Sequence, residues 1–116
     1  MALTPARDID IALLRSFVAV AETGRMVRAA RVVNRSQGAV SQQIQRLEAL
    51  FGLTLFDRRA EAIRLTRDGE RLLGRAHRLI ALNDRVISEM RASDFSGELR
   101  VGVPPDIVAM LLPPIL

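Results

Sequence analysis

The chain has no cysteine, no tryptophan and no tyrosine. Without cysteine it can build neither a disulfide framework nor a thiolate metal site, which fits the reducing cytoplasm where the protein is expected to work. A single histidine, His77, has no second histidine or cysteine near it and reads as an ordinary surface or interface residue. One histidine, scattered acids and no glycine-rich phosphate loop supply no nucleophile–base pair and no metal set, so neither an enzyme nor a cofactor is expected. Residues 1–10 lack the apolar run of a signal peptide, and no stretch reaches the ~20 apolar residues of a membrane span, so no membrane partner is expected either. Lysine is also absent: all 17 basic residues are arginine.

What remains is 116 residues, 49% hydrophobic but only 3% aromatic, enough for one small domain plus an appendage with a core of Leu, Val, Ile and Ala. The net charge is +4, and it is unevenly placed. Residues 1–66 hold ten arginines against six acids, residues 67–92 six against four, and residues 93–116 one against three. The basic excess lies in the first segment, as expected of a surface that meets phosphates, although such an excess is also common on soluble proteins.

Asp8 or Asp10 can cap a first helix that runs to about Glu22, with Ile9, Leu13, Phe17, Val20 and Ala21 on one face and Thr23-Gly24 as its stop. Two shorter helical patterns follow, about Met26 to Val33 and Gln37 to Phe51, hinged at Asn34-Arg35-Ser36. Met26, Ala29, Ala30 and Val33 share one face of the first pattern, and Val40, Ile44, Leu47 and Phe51 share one face of the second. Two amphipathic helices joined by a three-residue turn match a helix-turn-helix.

The opposite face of the second pattern holds Gly38, Gln42, Gln45, Arg46 and Ala49, with Ser41 on its flank and Gln43 nearer the apolar edge. Four glutamines fall in nine residues (Gln37, Gln42, Gln43, Gln45). A glutamine amide donates and accepts together, which suits adenine N6/N7, and a guanidinium suits guanine O6/N7. Ser36 is placed to cap this helix and to orient free N–H groups at a phosphate. Taken alone, the same face is equally that of a polar, solvated helix.

Leu53 to Phe56 and Ile63-Arg64-Leu65 flank a polar turn and predict a two-stranded wing, anchored by Leu55, Phe56, Ile63 and Leu65. Arg58, Arg59 and Arg64 would then lie beside the outward helix, within reach of flanking phosphates or a minor groove, whereas Glu61 near the tip opposes contact. Each of these arginines has the alternative of a plain surface residue. Thr66 caps a long helix to about Ala92, with Asp68 in its first turn. Leu72, Ala76, Leu79, Asn83, Val86 and Met90 alternate by four and three, with Leu73, Ile80 and Ile87 in a second row. Such a stripe is wider than one small domain needs, so part of it is expected to meet a second copy of the chain, with Leu72, Ala76, Leu79, Ile80, Asn83, Val86, Ile87 and Met90 as the contact and Asn83 either setting register or facing water. Ser93 to Gly97 reads as a linker, residues 99–103 as a strand, and residues 108–116 as the start of a helix. A lone strand makes no sheet, so a truncated chain lacking a second domain is expected.

In this order the pieces resemble the N-terminal part of a LysR-type transcriptional regulator. The matching runs are Leu14-Arg15-Ser16-Phe17-Val18-Ala19-Val20-Ala21-Glu22, Ala29-Ala30, Ser36-Gln37 through Val40-Ser41, Ile44-Gln45-Arg46-Leu47-Glu48, Leu55-Phe56-Asp57-Arg58, Leu65-Thr66 with Gly69, and Gly97-Glu98-Leu99-Arg100-Val101-Gly102. Residues 42–48 and Leu82-Asn83-Asp84 are similar to the branch governing motility and secreted virulence enzymes. The resemblance implies a mostly α winged helix-turn-helix over residues 1–66, a linker and dimerisation helix over 67–92, and a hinge with the start of an effector-binding domain over 93–116. It implies a bacterial homodimer, or pair of dimers, on imperfect inverted repeats of double-stranded DNA, with the long helices antiparallel. A small-molecule effector would bind only in the missing C-terminal domain. By position, Gln37, Gly38, Ser41 and Gln42 match the family's base-reading residues, and Ser36 and Arg58 its backbone contacts. Gln45 and Arg46 join them from the outward face, Gln45 at bases and Arg46 at the backbone.

The chain also departs from the family. Arg25-Met26-Val27 stands where Ser-Phe-Thr usually opens the second helix, so the capping hydroxyl is missing and Arg25 or Arg28 is left to substitute by charge. Gly38 stands where Pro or Ser is common and loosens the helix start, and Glu61 replaces a base in the wing. The alternative to a DNA-binding regulator is a helical interaction module that pairs through the long helix and binds no DNA.

Overall fold

The computed structural model describes residues 8–59 and 62–92. The expectations for Glu61 and for residues 93–116 lie outside the described residues. Helices α1 (Ile11–Thr23), α2 (Met26–Val33) and α3 (Gln37–Phe51) are followed by β1 (Phe56–Asp57), β2 (Arg64–Leu65) and α4 (Arg67–Ala92).

Local chemistry sets most of these boundaries. Asp10 accepts the Ala12 N–H at 2.9 Å, and Gly24, at φ 71°, closes α1 by donating to the Val20 carbonyl at 2.8 Å. Asn34 takes the left-handed conformation, φ 59°, that turns the chain between α2 and α3, and the Arg35 N–H reaches back to the Ala30 carbonyl at 2.9 Å. Ser36 accepts the Ala39 N–H at 3.1 Å and so starts α3. Thr66 serves α4 twice: its hydroxyl accepts from the Gly69 N–H at 3.0 Å and donates to the Thr54 carbonyl at 2.6 Å.

Leu14, Phe17 and Val20 of α1, Ala29 and Ala30 of α2, and Val40, Ile44 and Leu47 of α3 are buried together. A fully buried Leu, Ile, Val or Phe contributes about 1.5–3 kcal/mol, so this three-helix contact dominates the fold. Leu55 and Phe56 carry the wing stem into the same core, where the Phe56 ring lies 5.3 Å from that of Phe17, tilted by 49°.

The wing is shorter than the sequence predicts. β1 and β2 pair antiparallel through Phe56–Leu65 and Asp57–Arg64 only, and Leu53 is exposed. The reason is where the preceding backbone groups go. The Leu55 N–H donates to Glu48 Oε2 at 2.7 Å, and the Leu55 carbonyl accepts from the Thr66 N–H at 2.9 Å. Residues 54–55 are thus held by α3 and the start of α4 rather than by a partner strand, and Asp57, expected in the turn, belongs to β1. The join is tight: a Cβ on Gly69 would stand 2.2 Å from the Leu55 carbonyl oxygen.

The long stripe of α4 divides. Ala76 is wholly buried in the chain's own core, and Leu72, Leu73 and Ile80 pack partly against it. Ala76 therefore has no surface to offer a second copy, which corrects its assignment to a subunit contact. Its small side chain instead brings α4 close to the domain. Leu79, Leu82, Val86, Ile87 and Met90 are exposed, and half-buried Asn83 donates to Asp84 Oδ1 at 3.2 Å. His77 Nε2 lies 3.0 Å from Glu22 Oε2, so this lone histidine links α4 to α1. By compactness the chain divides after Ile80, within α4. No helix among the described residues is long and apolar enough to cross a membrane.

Candidate nucleic-acid interface

With Val40, Ile44 and Leu47 turned into the core, the helical repeat leaves the opposite side of α3 in solvent. Gln37, Gly38, Gln42, Gln45, Arg46 and Ala49 are exposed, and Ser41 is half-buried on the flank, as the spacing predicts. The next acid along the helix, Glu48, is turned aside onto the wing stem, where it accepts from the Leu55 and Phe56 N–H groups. The side therefore presents amides and a guanidinium with no carboxylate among them. The first-turn N–H groups of α3 open at the same end as Gln37 and Gly38, since a helix leaves its first donors without intrahelical partners.

The wing arginines are not equivalent. Arg58 and Arg64 are exposed. Arg59 is exposed too, but Asp57 holds it: Nε lies 3.1 Å and Nη2 3.4 Å from the carboxylate oxygens, and the Arg59 backbone N–H donates to Asp57 Oδ1 at 3.0 Å. The side-chain hydrogen bond from Arg59, joined by its backbone N–H, pulls the Asp57 carboxyl below its ordinary pKa, and the same bond raises that of Arg59. Among the described residues no group of three or more His, Cys, Asp or Glu side chains converges as metal ligands would.

Residues 11–70 of this fold match the family described as bacterial regulatory helix-turn-helix protein, lysR family. The chain belongs to the LysR family. It is 41% identical over 113 residues to the HTH-type transcriptional regulator DgdR of Burkholderia cepacia, a match that covers 97% of this chain and 38% of DgdR. It is 42% identical over 112 residues to the HTH-type transcriptional regulator PecT of Dickeya dadantii (strain 3937), covering 97% of this chain and 35% of PecT. The chain thus spans little more than a third of the length of either relative. Among solved structures, the CbnR DBD–DNA complex superposes with a TM-score of 0.68 at 36% identity, covering 74% of this chain and 99% of that one.

The start of α2 has no side-chain cap. Arg25 takes the N-cap place and makes no side-chain bond to the helix, so the missing hydroxyl is not replaced by another cap. What the region has instead is charge. From Thr23 to Leu47 there are five arginines and no acid, and Arg25, Arg28, Arg31, Arg35 and Arg46 are all exposed. Only Arg25, Arg28 and Arg46 were expected from the motif positions and the outward face. Arg31 and Arg35 were missed, although the run of residues without Asp or Glu was the signal that could have found them. Also missed was buried Ser16, whose hydroxyl donates to Gln43 Oε1.

Proposed function

We propose that this LysR-family chain is the DNA-reading part of a sequence-specific transcriptional regulator that works in the bacterial cytoplasm on an inverted-repeat operator. The observation that carries this is the outward side of α3, which is exposed, rich in amides and free of acids, beside a run of exposed arginines. The DNA complex solved for the CbnR relative supports it by analogy.

In this arrangement α3 enters the major groove. Gln37, Gly38, Ser41, Gln42 and Gln45 face base edges, each good bidentate contact discriminating by about 1–3 kcal/mol. Ser36, Arg28, Arg46, Arg58 and Arg64 lie along the phosphates, with Arg59 available once it leaves Asp57. By helical periodicity Leu79, Leu82, Asn83, Val86, Ile87 and Met90 share one face of α4, and a second copy of the chain covers it to make the homodimer. Half-sites then lie one or more helical turns apart. Residues 1–66 form the reading head, residues 67–92 the linker helix, and residues 93–116 the entry to an effector-binding domain. No catalysis is assigned to the chain.

Selection of duplexes from a random-sequence pool, followed by gel shift across a salt series, tests this. One enriched inverted repeat and a steep loss of binding with salt are expected. Gln42→Glu combined with Arg46→Glu should abolish the shift. If the chain enriches no sequence, or the double variant binds as well as the parent, the helical interaction module takes its place.

A further inference from the structure

We propose that Ser16, Gln43 and Glu48 form a clamp that fixes the rotation of α3 about its own axis and so positions the outward side chains; this rests on the DNA-reading function above. At about 100° per residue, Gln43 and Glu48 lie roughly 70° to either side of the Val40–Ile44–Leu47 face. Each is tied to a different neighbour. Gln43 Oε1 accepts from the hydroxyl of Ser16 in α1. Glu48 Oε2 accepts from the Leu55 N–H at 2.7 Å and the Phe56 N–H at 3.4 Å at the wing stem.

Apolar packing alone is non-directional and tolerates small rotations. Two hydrogen bonds on opposite edges of the buried face do not, because turning the helix either way stretches one of them. The lever is short but sufficient. A side chain ~5–6 Å from the helix axis moves by about 1 Å for a turn of ~10°. That is enough to spoil a base contact, whose useful range is only about 2.7–3.2 Å. Arginine–phosphate attraction changes little over the same shift, since charges act over about 10 Å. Releasing the clamp should therefore cost discrimination between sequences and leave sequence-blind binding in place. Ser16 is 1% exposed, so it cannot touch DNA itself and acts only as a positioning residue.

The experiment uses this chain, the duplex it enriches from the random pool, and a scrambled duplex of equal composition, at temperatures where circular dichroism shows each variant folded. Ser16→Ala should lower the ratio of the two affinities about tenfold, the size of one lost base contact. Its affinity for the scrambled duplex and its salt slope should match the parent. Glu48→Ala should do the same, whereas Glu48→Gln, which keeps an amide oxygen for the two N–H groups, should retain the parental ratio. An unchanged ratio in folded Ser16→Ala and Glu48→Ala, or an equal loss on both duplexes, overturns the clamp. A parent chain that enriches no duplex overturns the DNA-reading function itself, and the clamp with it.

Discussion

Asp57 and Arg59 face each other across a single residue of the wing, guanidinium Nε 3.1 Å from carboxylate Oδ1, so one of the three wing arginines is occupied by the chain's own acid. Asp57→Asn frees that charge. The log–log dependence of binding on salt should steepen by about 0.9, one added phosphate contact, when read by fluorescence anisotropy on a duplex of fixed length. Acid should do the same in the parent. The Asp57 pKa is depressed in the folded chain, so the pair persists above the ordinary carboxylate range and is lost as pH falls through the lowered value. Between about pH 5 and 8 the slope should therefore be flat with pH. A slope that changes there, or one unaltered in Asp57→Asn, removes Asp57 as the brake on Arg59.

Gly69 admits no side chain. Its Cβ would meet the Leu55 carbonyl oxygen at 2.2 Å and Leu65 Cδ2 at 2.8 Å, and the first of these is backbone that cannot swing aside. Gly69→Ala should destabilise the fold by roughly 2–3 kcal/mol despite the better helix propensity of alanine, as seen in a urea melt. A neutral or stabilising result would show that the start of α4 stands further from the wing stem.

Gly38 is the opposite case, with nothing within 4 Å of an added Cβ. Gly38→Ala should stabilise the chain by about 0.5–1 kcal/mol, raising Tm by a few degrees. Binding to the enriched duplex should weaken in the same variant, because the new methyl stands on the outward side of α3. Tighter binding would mean that the backbone makes no close approach there.

Val86 is 48% exposed on the apolar stripe of α4. Val86→Asp should shift sedimentation from dimer to monomer at micromolar concentration. The thermal stability of residues 8–80 should stay within about 0.5 kcal/mol of the parent, the usual range for surface changes. A dimer that survives the substitution would place the subunit contact elsewhere.

The helices were legible because their punctuation is local. Asp10, Gly24 and Ser36 each act on residues within one turn, as Thr66 does in capping α4, and the apolar spacing of Val40, Ile44 and Leu47 says which side of α3 turns inward. The exposed candidate side was legible for the same reason. What spacing could not say was which neighbour covers a stripe. Leu72 and Ala76 have the same heptad places as Val86 and Met90, yet the first two face the chain's own core. The short wing and the Ser16–Gln43 bond depend on residues brought together from 27 or fewer positions apart by the fold, and no periodicity encodes them.

The run of arginines between Thr23 and Leu47 contains no lysine. Acetylation, which erases the charge of a lysine ammonium, therefore has no target side chain in this run. On the proposed DNA-reading function, the hold of this surface on phosphates is thus closed to lysine-directed enzymes. Counter-ions remain a control on such a hold, since each phosphate contact releases some of them.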